Sequence, residues 1–150
     1  MKTLRNPRDR QEVLERLARV REDSQRRWGS MTANQMVCHL SDSFRASLGE
    51  KHIASATTPF KRTAVKWFAL WVPLPWPHGF KTRPEMDQKI GGTQPTDFAS
   101  DVAALCVLVD RFCSFESEFA PHGTFGQLSR GERMRHAYLH MNHHLKQFGA

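Results

Sequence analysis

Apolar positions recur along the chain at spacings of three and four, and the polar residues between them mark where each helix starts and stops. After Asn6-Pro7, an N-cap followed by proline at the first helical position, Val13, Leu14, Leu17 and Val20 form one stripe. The spacing predicts a helix running to about Arg27. A second helix starts at Thr32, which has capping-box spacing to Gln35. Its apolar face is Ala33, Met36, Val37, Leu40, Phe44 and Leu48, and Gly49 ends it. A shorter helix follows Thr58-Pro59, carries Phe60, Trp67, Phe68 and Trp71, and stops before Pro73. A further helix begins near Thr96, with Phe98, Val102, Leu105, Cys106, Val109, Phe112 and Cys113. The last begins at Ser129, again with capping-box spacing to Glu132, and runs to Phe148. No period-two alternation and no Asn-Gly turn argues for strands. The pattern predicts an all-α four-helix bundle with an additional short helix, in which the long 49–95 stretch supplies at least one crossover connection.

Within that stretch, residues 73–95 hold five prolines and the adjacent Gly91 and Gly92. Trp76 and Phe80 there need burial, so the segment reads as an ordered loop of the kind that often serves function. At 150 residues the chain is expected to form a single domain, 1–150. A hydrophobic share of 39% and a charged share of 25% exclude collagen-like, mucin-like and mostly disordered chains. The longest apolar run, 64–74, is too short to span a bilayer and contains Lys66. No apolar core of a signal peptide follows the charged N-terminus. Cys38, Cys106 and Cys113 are odd in number and include no CxxC, which suits reduced thiols in a cytoplasmic protein.

The net charge of +7 permits an anionic partner. Much of it lies in residues 1–27, where nine basic and five acidic side chains alternate as on a solvated helix face. No recognition motif accompanies the charge, so no nucleic acid is expected as partner. Residues 64–72 could touch a membrane surface, but the internal lysine and loop context favour packing within the protein, and no membrane partner is expected. Trp67, Trp71, Trp76 and Phe80 are expected in the core or at a dimer contact, which leaves a homodimer open.

The chain has eight histidines, and five of them bear on function: His39, His136, His140, His143 and His144. On a helical wheel, Met134, Ala137, Tyr138, Met141, Leu145 and Phe148 define the core side of the last helix. His140, His144 and Gln147 lie on one flank, and His136 and His143 point toward solvent. Two imidazoles one turn apart can bind a single transition metal, and a third would complete a three-histidine site with an open position. His39 is the candidate third. Ser43, Ala46 and Ser47 share its side and leave room for a cavity, although the wheel alone also allows a surface His39. Spacing by itself fits surface or capping histidines that complement the helix dipole better than a metal site.

The segments Trp28-Gly-Ser-Met-Thr-Ala-Asn-Gln-Met-Val-Cys-His39-Leu-Ser-Asp-Ser43 and Tyr138-Leu-His140-Met-Asn-His-His144-Leu-Lys-Gln147-Phe-Gly resemble the DinB-like (YfiT-like) metal-binding four-helix bundles. The closest likeness is to a bacterial subgroup of unknown function, which similarly carries Pro75-Trp76-Pro77, Gly91-Gly92-Thr93 and the turn from His122 to Gly126. The resemblance covers the chain from about Arg26. It implies one divalent metal, zinc or nickel, held by His39, His140 and His144. Cys38 stands where some relatives have a second histidine; the wheel turns it away from His39, as a packing residue.

Some relatives are transferases or isomerases that use low-molecular-weight thiols such as mycothiol or bacillithiol. The resemblance therefore implies a metal-dependent transferase or hydrolase acting on a small molecule, with a thiol as candidate cosubstrate. A non-catalytic metal- or ligand-binding stress-related protein on the same fold is the alternative. Asp42 is a candidate to orient a ligand imidazole, against the plainer reading of a solvent-facing carboxylate. Gln147 is a candidate to bond a ligand or substrate. His122 is a candidate acid/base group at the bundle mouth, against a simple turn residue.

Overall fold

Side-chain caps set where the helices begin. A computed structural model describes residues 1–79 and 82–150. Among them are five α-helices and no strand: α1 (Pro7–Leu17), α2 (Ala33–Ser47), α3 (Lys66–Trp71), α4 (Phe98–Ser114) and α5 (Arg130–Gln147). Asn6 accepts from the Arg8 amide at the start of α1, and Asp97 from the Ser100 amide at the start of α4. Thr32 with Gln35, and Ser129 with Glu132, form reciprocal capping boxes at α2 and α5. Each cap satisfies amides that the first helical turn leaves without partners. Beyond α2, Gly49 takes a φ of +81°, the left-handed conformation that favours a residue without Cβ.

The helices pack as a bundle. α4 lies along α2, α1 lies on α5, and α2 and α5 also meet. Met36, Leu40, Phe44, Leu105, Val109, Phe112, Met141 and Leu145 fill the shared core. Phe112 sits at its centre, edge-on to Phe44 at 5.0 Å between centroids and stacked on Phe119 at 4.7 Å. The connection between α2 and α4 passes over α5 through α3, which is entered by a π-turn at Lys61–Val65. It returns to α2 at a 3-10 turn, Pro84–Met86. No helix among the described residues is long and apolar enough to cross a membrane.

Two expectations need correction. α1 ends at Leu17, ten residues before Arg27. Residues 21–27 contain no apolar side chain, so a helix continued there would have no face to bury. The Ser24 hydroxyl instead accepts from the Arg21 amide, while the Ser24 amide donates to the Arg21 carbonyl, closing a turn. Val20 still reaches the core from outside the helix.

The aromatics of the short helix are also not internal. Leu70 is buried, whereas Phe60, Trp67, Phe68 and Trp71 face out. A helix this short docks one side on α5, and the side chains on its other side find no second layer. Trp76 is half-buried, and Phe80 lies outside the described residues.

Phe112→Ala should cost about 3–5 kcal/mol, because a fully buried ring between two others leaves a cavity. Val107→Ala, on the exposed side of α4, should stay within about 0.5 kcal/mol. Urea denaturation of both variants measures the difference.

Candidate metal centre

The seam between α2 and α5 brings three histidines together. His39 lies two turns into α2, and His140 and His144 lie one turn apart on α5. Their ring centroids form a near-equilateral triangle: 5.0 Å for His39–His140, 4.8 Å for His39–His144 and 4.9 Å for His140–His144. One ring nitrogen of each lies within 4.8 Å of the other two, and the group could hold a metal ion. His39 Nε2 and His140 Nε2 are 3.1 Å apart. Two nitrogens bound to one zinc at about 2.0–2.1 Å in a tetrahedral site would stand roughly 3.3 Å apart.

The remaining nitrogens all meet oxygen. His39 Nδ1 is 3.0 Å from the Met86 carbonyl, which can only accept, so Nδ1 carries the proton and Nε2 is a bare lone pair. His144 Nδ1 donates to Gln147 Oε1 at 2.9 Å. The Gln147 amide is turned that way because its Nε2 donates to the Trp28 carbonyl at 2.8 Å. His140 Nδ1 is 3.1 Å from Ser43 Oγ, a group able to donate or accept. Three imidazoles with their outer nitrogens tied to oxygen are the donor set of a nitrogen-ligated transition metal. Among the described residues, no carboxylate joins the group.

Burial keeps these rings neutral. It pushes the pKa of His39 down, with the Met86 carbonyl opposing. It holds His140 and His144 well below the ordinary histidine range, and the neighbouring imidazoles add to the effect at both. Neutral imidazole is the form that ligates.

The Met86 carbonyl is held by the segment that follows it. Asp42, wholly buried on α2, accepts from the Thr93 amide at 2.8 Å, the Thr93 hydroxyl at 2.5 Å and Gln88 Nε2 at 3.3 Å. It also pairs with Lys51 at 3.0 Å. Asp42 therefore contacts none of the three imidazoles, nor does it face solvent: it clamps the 88–93 segment to α2. Gly92 fits there because a Cβ would lie 2.7 Å from the Asp87 carbonyl carbon.

Other residues fall differently from their sequence reading. His136 is 6% exposed, not solvent-facing. Two distant loops cover it, bringing His122 to 4.6 Å and Trp76 to 5.4 Å between centroids. His122 itself meets Phe125 and His136, and its Nδ1 accepts from the Thr124 and Phe125 amides. Burial pushes its pKa down to about 3, and its ring packs on His136 in the turn before α5. His143 is half-buried, edge-on to Trp28, which stacks on His78 at 4.0 Å. Trp76 lies over His140 at 6.2 Å and His143 at 6.1 Å, and its indole N–H donates to the Ala69 carbonyl. Cys38 Sγ turns to Asp101 at 3.7 Å, and burial lifts its pKa to about 12. Sequence spacing did not reveal the Met86 carbonyl or the Trp28 and Trp76 walls. Ser43 was visible as a small residue one turn from His39, but its bond to His140 was not.

A family model described as a protein of unknown function, DUF1569, matches residues 3–150. The chain belongs to the DUF1569 family. The DUF1569 match takes in all five helices, the three convergent histidines and the segment carrying Met86. No curated protein and no solved structure matches this DUF1569 chain.

The buried histidines give stability a definite pH dependence. An unfolded histidine takes up its proton near pH 6.5, whereas His39, His122, His136, His140 and His144 stay neutral to lower pH in the fold. Below pH 6.5 the unfolded state therefore binds more protons, so stability is complete above that value and falls as the solution is acidified. Metal-free protein should lose about 2 kcal/mol or more between pH of about 7.5 and about 5. Urea midpoints at the two pH values measure it, and equal midpoints would contradict the burial of these rings.

Proposed function

We propose that the protein is a divalent-metal-dependent transferase or hydrolase of the DinB-like (YfiT-like) bundle type, acting on a small molecule. Low-molecular-weight thiols are the cosubstrate class for the transferase reaction. The observation that carries this reading is the triangle of imidazoles with every outer nitrogen held by an oxygen. His39, His140 and His144 would hold the metal, zinc or nickel. When bound, such a cation acts as a Lewis acid and lowers the pKa of a water or thiol ligand.

The chain's residues supply the rest. Met86, Ser43 and Gln147 orient the rings through their Nδ1 atoms. With no carboxylate among the donors, the site keeps its positive charge for an anionic nucleophile or substrate. Trp76 lies over His140, and Trp28 stands edge-on to His143 on the neighbouring side of α5. The protein's own thiols are not suited to attack: burial raises the pKa of Cys38, Cys106 and Cys113. The nucleophile would therefore come from outside as water or a small thiol, which is why hydrolysis and thiol transfer are the two reactions proposed.

Metal analysis of untagged protein tests the site. About one divalent cation per chain is expected. It should be lost in His39→Ala, His140→Ala and His144→Ala and kept in His52→Ala, whose side chain is exposed. Protein that retains no ion at neutral pH would refute the proposal. Gln147→Leu, which unties His144 Nδ1, should weaken metal affinity by about 10–100-fold in a chelator competition while leaving the far-UV spectrum unchanged. Turnover of a thiol and electrophile panel, or of hydrolysable esters and amides, tests catalysis. Saturable metal-dependent binding without product would assign the protein to the non-catalytic reading instead.

A further inference from the structure

The short helix and its flanks are apolar on both sides. Leu70 is fully buried where α3 meets α5, yet Phe60, Trp67, Phe68 and Leu74 are 67%, 61%, 52% and 59% exposed. Trp71 extends the same surface. A helix apolar all round is ordinarily enclosed, and a cluster of exposed apolar side chains marks a contact surface.

Charge identifies what would cover it. From residue 59 to residue 74 the chain carries Lys61, Arg62 and Lys66 and no Asp or Glu. Among the described residues, the one carboxylate beside the aromatic groove is Glu132, already paired with Lys66 at 2.7 Å. Arg62 is exposed at the groove, and the Arg135 guanidinium lies over the Trp71 ring, 5.5 Å from its centroid. A second copy of this chain would present the same positive face and repel it. An anionic lipid surface meets it with opposite charge, and Trp and Phe beside Lys and Arg suit the boundary between headgroups and acyl chains.

We propose that residues 59–74 dock the protein on an anionic membrane surface, with the aromatic side chains in the headgroup–acyl boundary and Arg62 and Lys61 toward the headgroups. This departs from the expectation of internal packing drawn from the lone lysine of 64–72. That lysine is spoken for by Glu132, so it does not oppose insertion of its neighbours. The docked segment runs on into Trp76, which lies over His140, so the lipid face adjoins the histidine site. The proposal does not rest on metal binding.

The test uses the full chain and phosphatidylcholine vesicles with and without phosphatidylglycerol, read by co-sedimentation and tryptophan fluorescence. Binding to the anionic vesicles should be about tenfold or more tighter than to neutral ones, and about 0.5 M salt should weaken it. The double variant Trp67→Glu/Phe68→Glu should lose about tenfold or more of that binding. Both side chains are largely exposed, so far-UV spectrum and thermal midpoint should match those of the parent. No binding to anionic vesicles, or equal binding by the folded variant, would overturn the proposal. A dimer seen by light scattering that dissociates in the variant, without vesicle binding by the parent, would assign the surface to a second copy and overturn it as well.

Discussion

Two imidazole nitrogens, His39 Nε2 and His140 Nε2, face each other at 3.1 Å across the seam between α2 and α5. Bare lone pairs at that distance repel, so something positive must stand between them. The Met86 carbonyl decides half of the question by holding the His39 proton on Nδ1. Ser43 decides the other half. If its hydroxyl donates to His140 Nδ1, His140 carries its proton on Nε2 and shares it with His39. If the hydroxyl accepts, both Nε2 atoms are bare and a cation must take the proton's place. A rotating hydroxyl hydrogen would thus let one arrangement of heavy atoms serve with a shared proton or with a cation.

That constraint reaches well beyond the rings. A backbone carbonyl is a useful partner only if its segment is held still, and Asp42 holds it. A buried carboxylate is tolerated because its oxygens are satisfied several times over, by the Thr93 amide and hydroxyl, by Gln88 and by Lys51. The Gly91-Gly92-Thr93 motif is the counterpart on the other strand of chain. Gly92 allows the close return onto Asp87, and Thr93 offers two donors to one carboxylate. Asp42 and Thr93 therefore act on the site through the position of Met86, without touching a histidine.

The sequence was most legible where the signal is local. Capping boxes at Thr32 and Ser129 placed two helix starts to the residue, and Gly49 placed an end, because each is a short-range bond or a single backbone conformation. The flank of α5 carrying His140 and His144 followed from the wheel alone. Legibility failed where distant chain intervenes. His136 looks solvent-facing on its own helix, and only the folding of the His122 and Trp76 loops over that side buries it. Asp42 looks like a surface carboxylate until residues 88–93 return to it. The aromatic run 64–72 has the composition of a core and stands outside one, since burial depends on whether a second layer exists. The length of α1 was misread for a related reason: alternating charges resemble a helix face, but helix stability needs an apolar side that residues 21–27 lack.

One segment ties these observations together. Helix–helix connections in bundles commonly take about 2–8 residues, and a connection of that length would suffice to pair α2 with α4. The chain instead spends residues 48–97 on the task. That stretch supplies the Met86 carbonyl that fixes His39, the Thr93 clamp on Asp42, the Trp76 wall over His140 and the exposed aromatic face of α3. The helices alone would bring three rings together and tie His140 to Ser43 and His144 to Gln147, without a partner for His39 or a wall over His140. The long connection supplies both, and between residues 51 and 84 it carries six basic side chains and no acidic one. Site chemistry and surface character are therefore properties of the same piece of chain, and an insertion or deletion within 48–97 would alter both while leaving the bundle core in place.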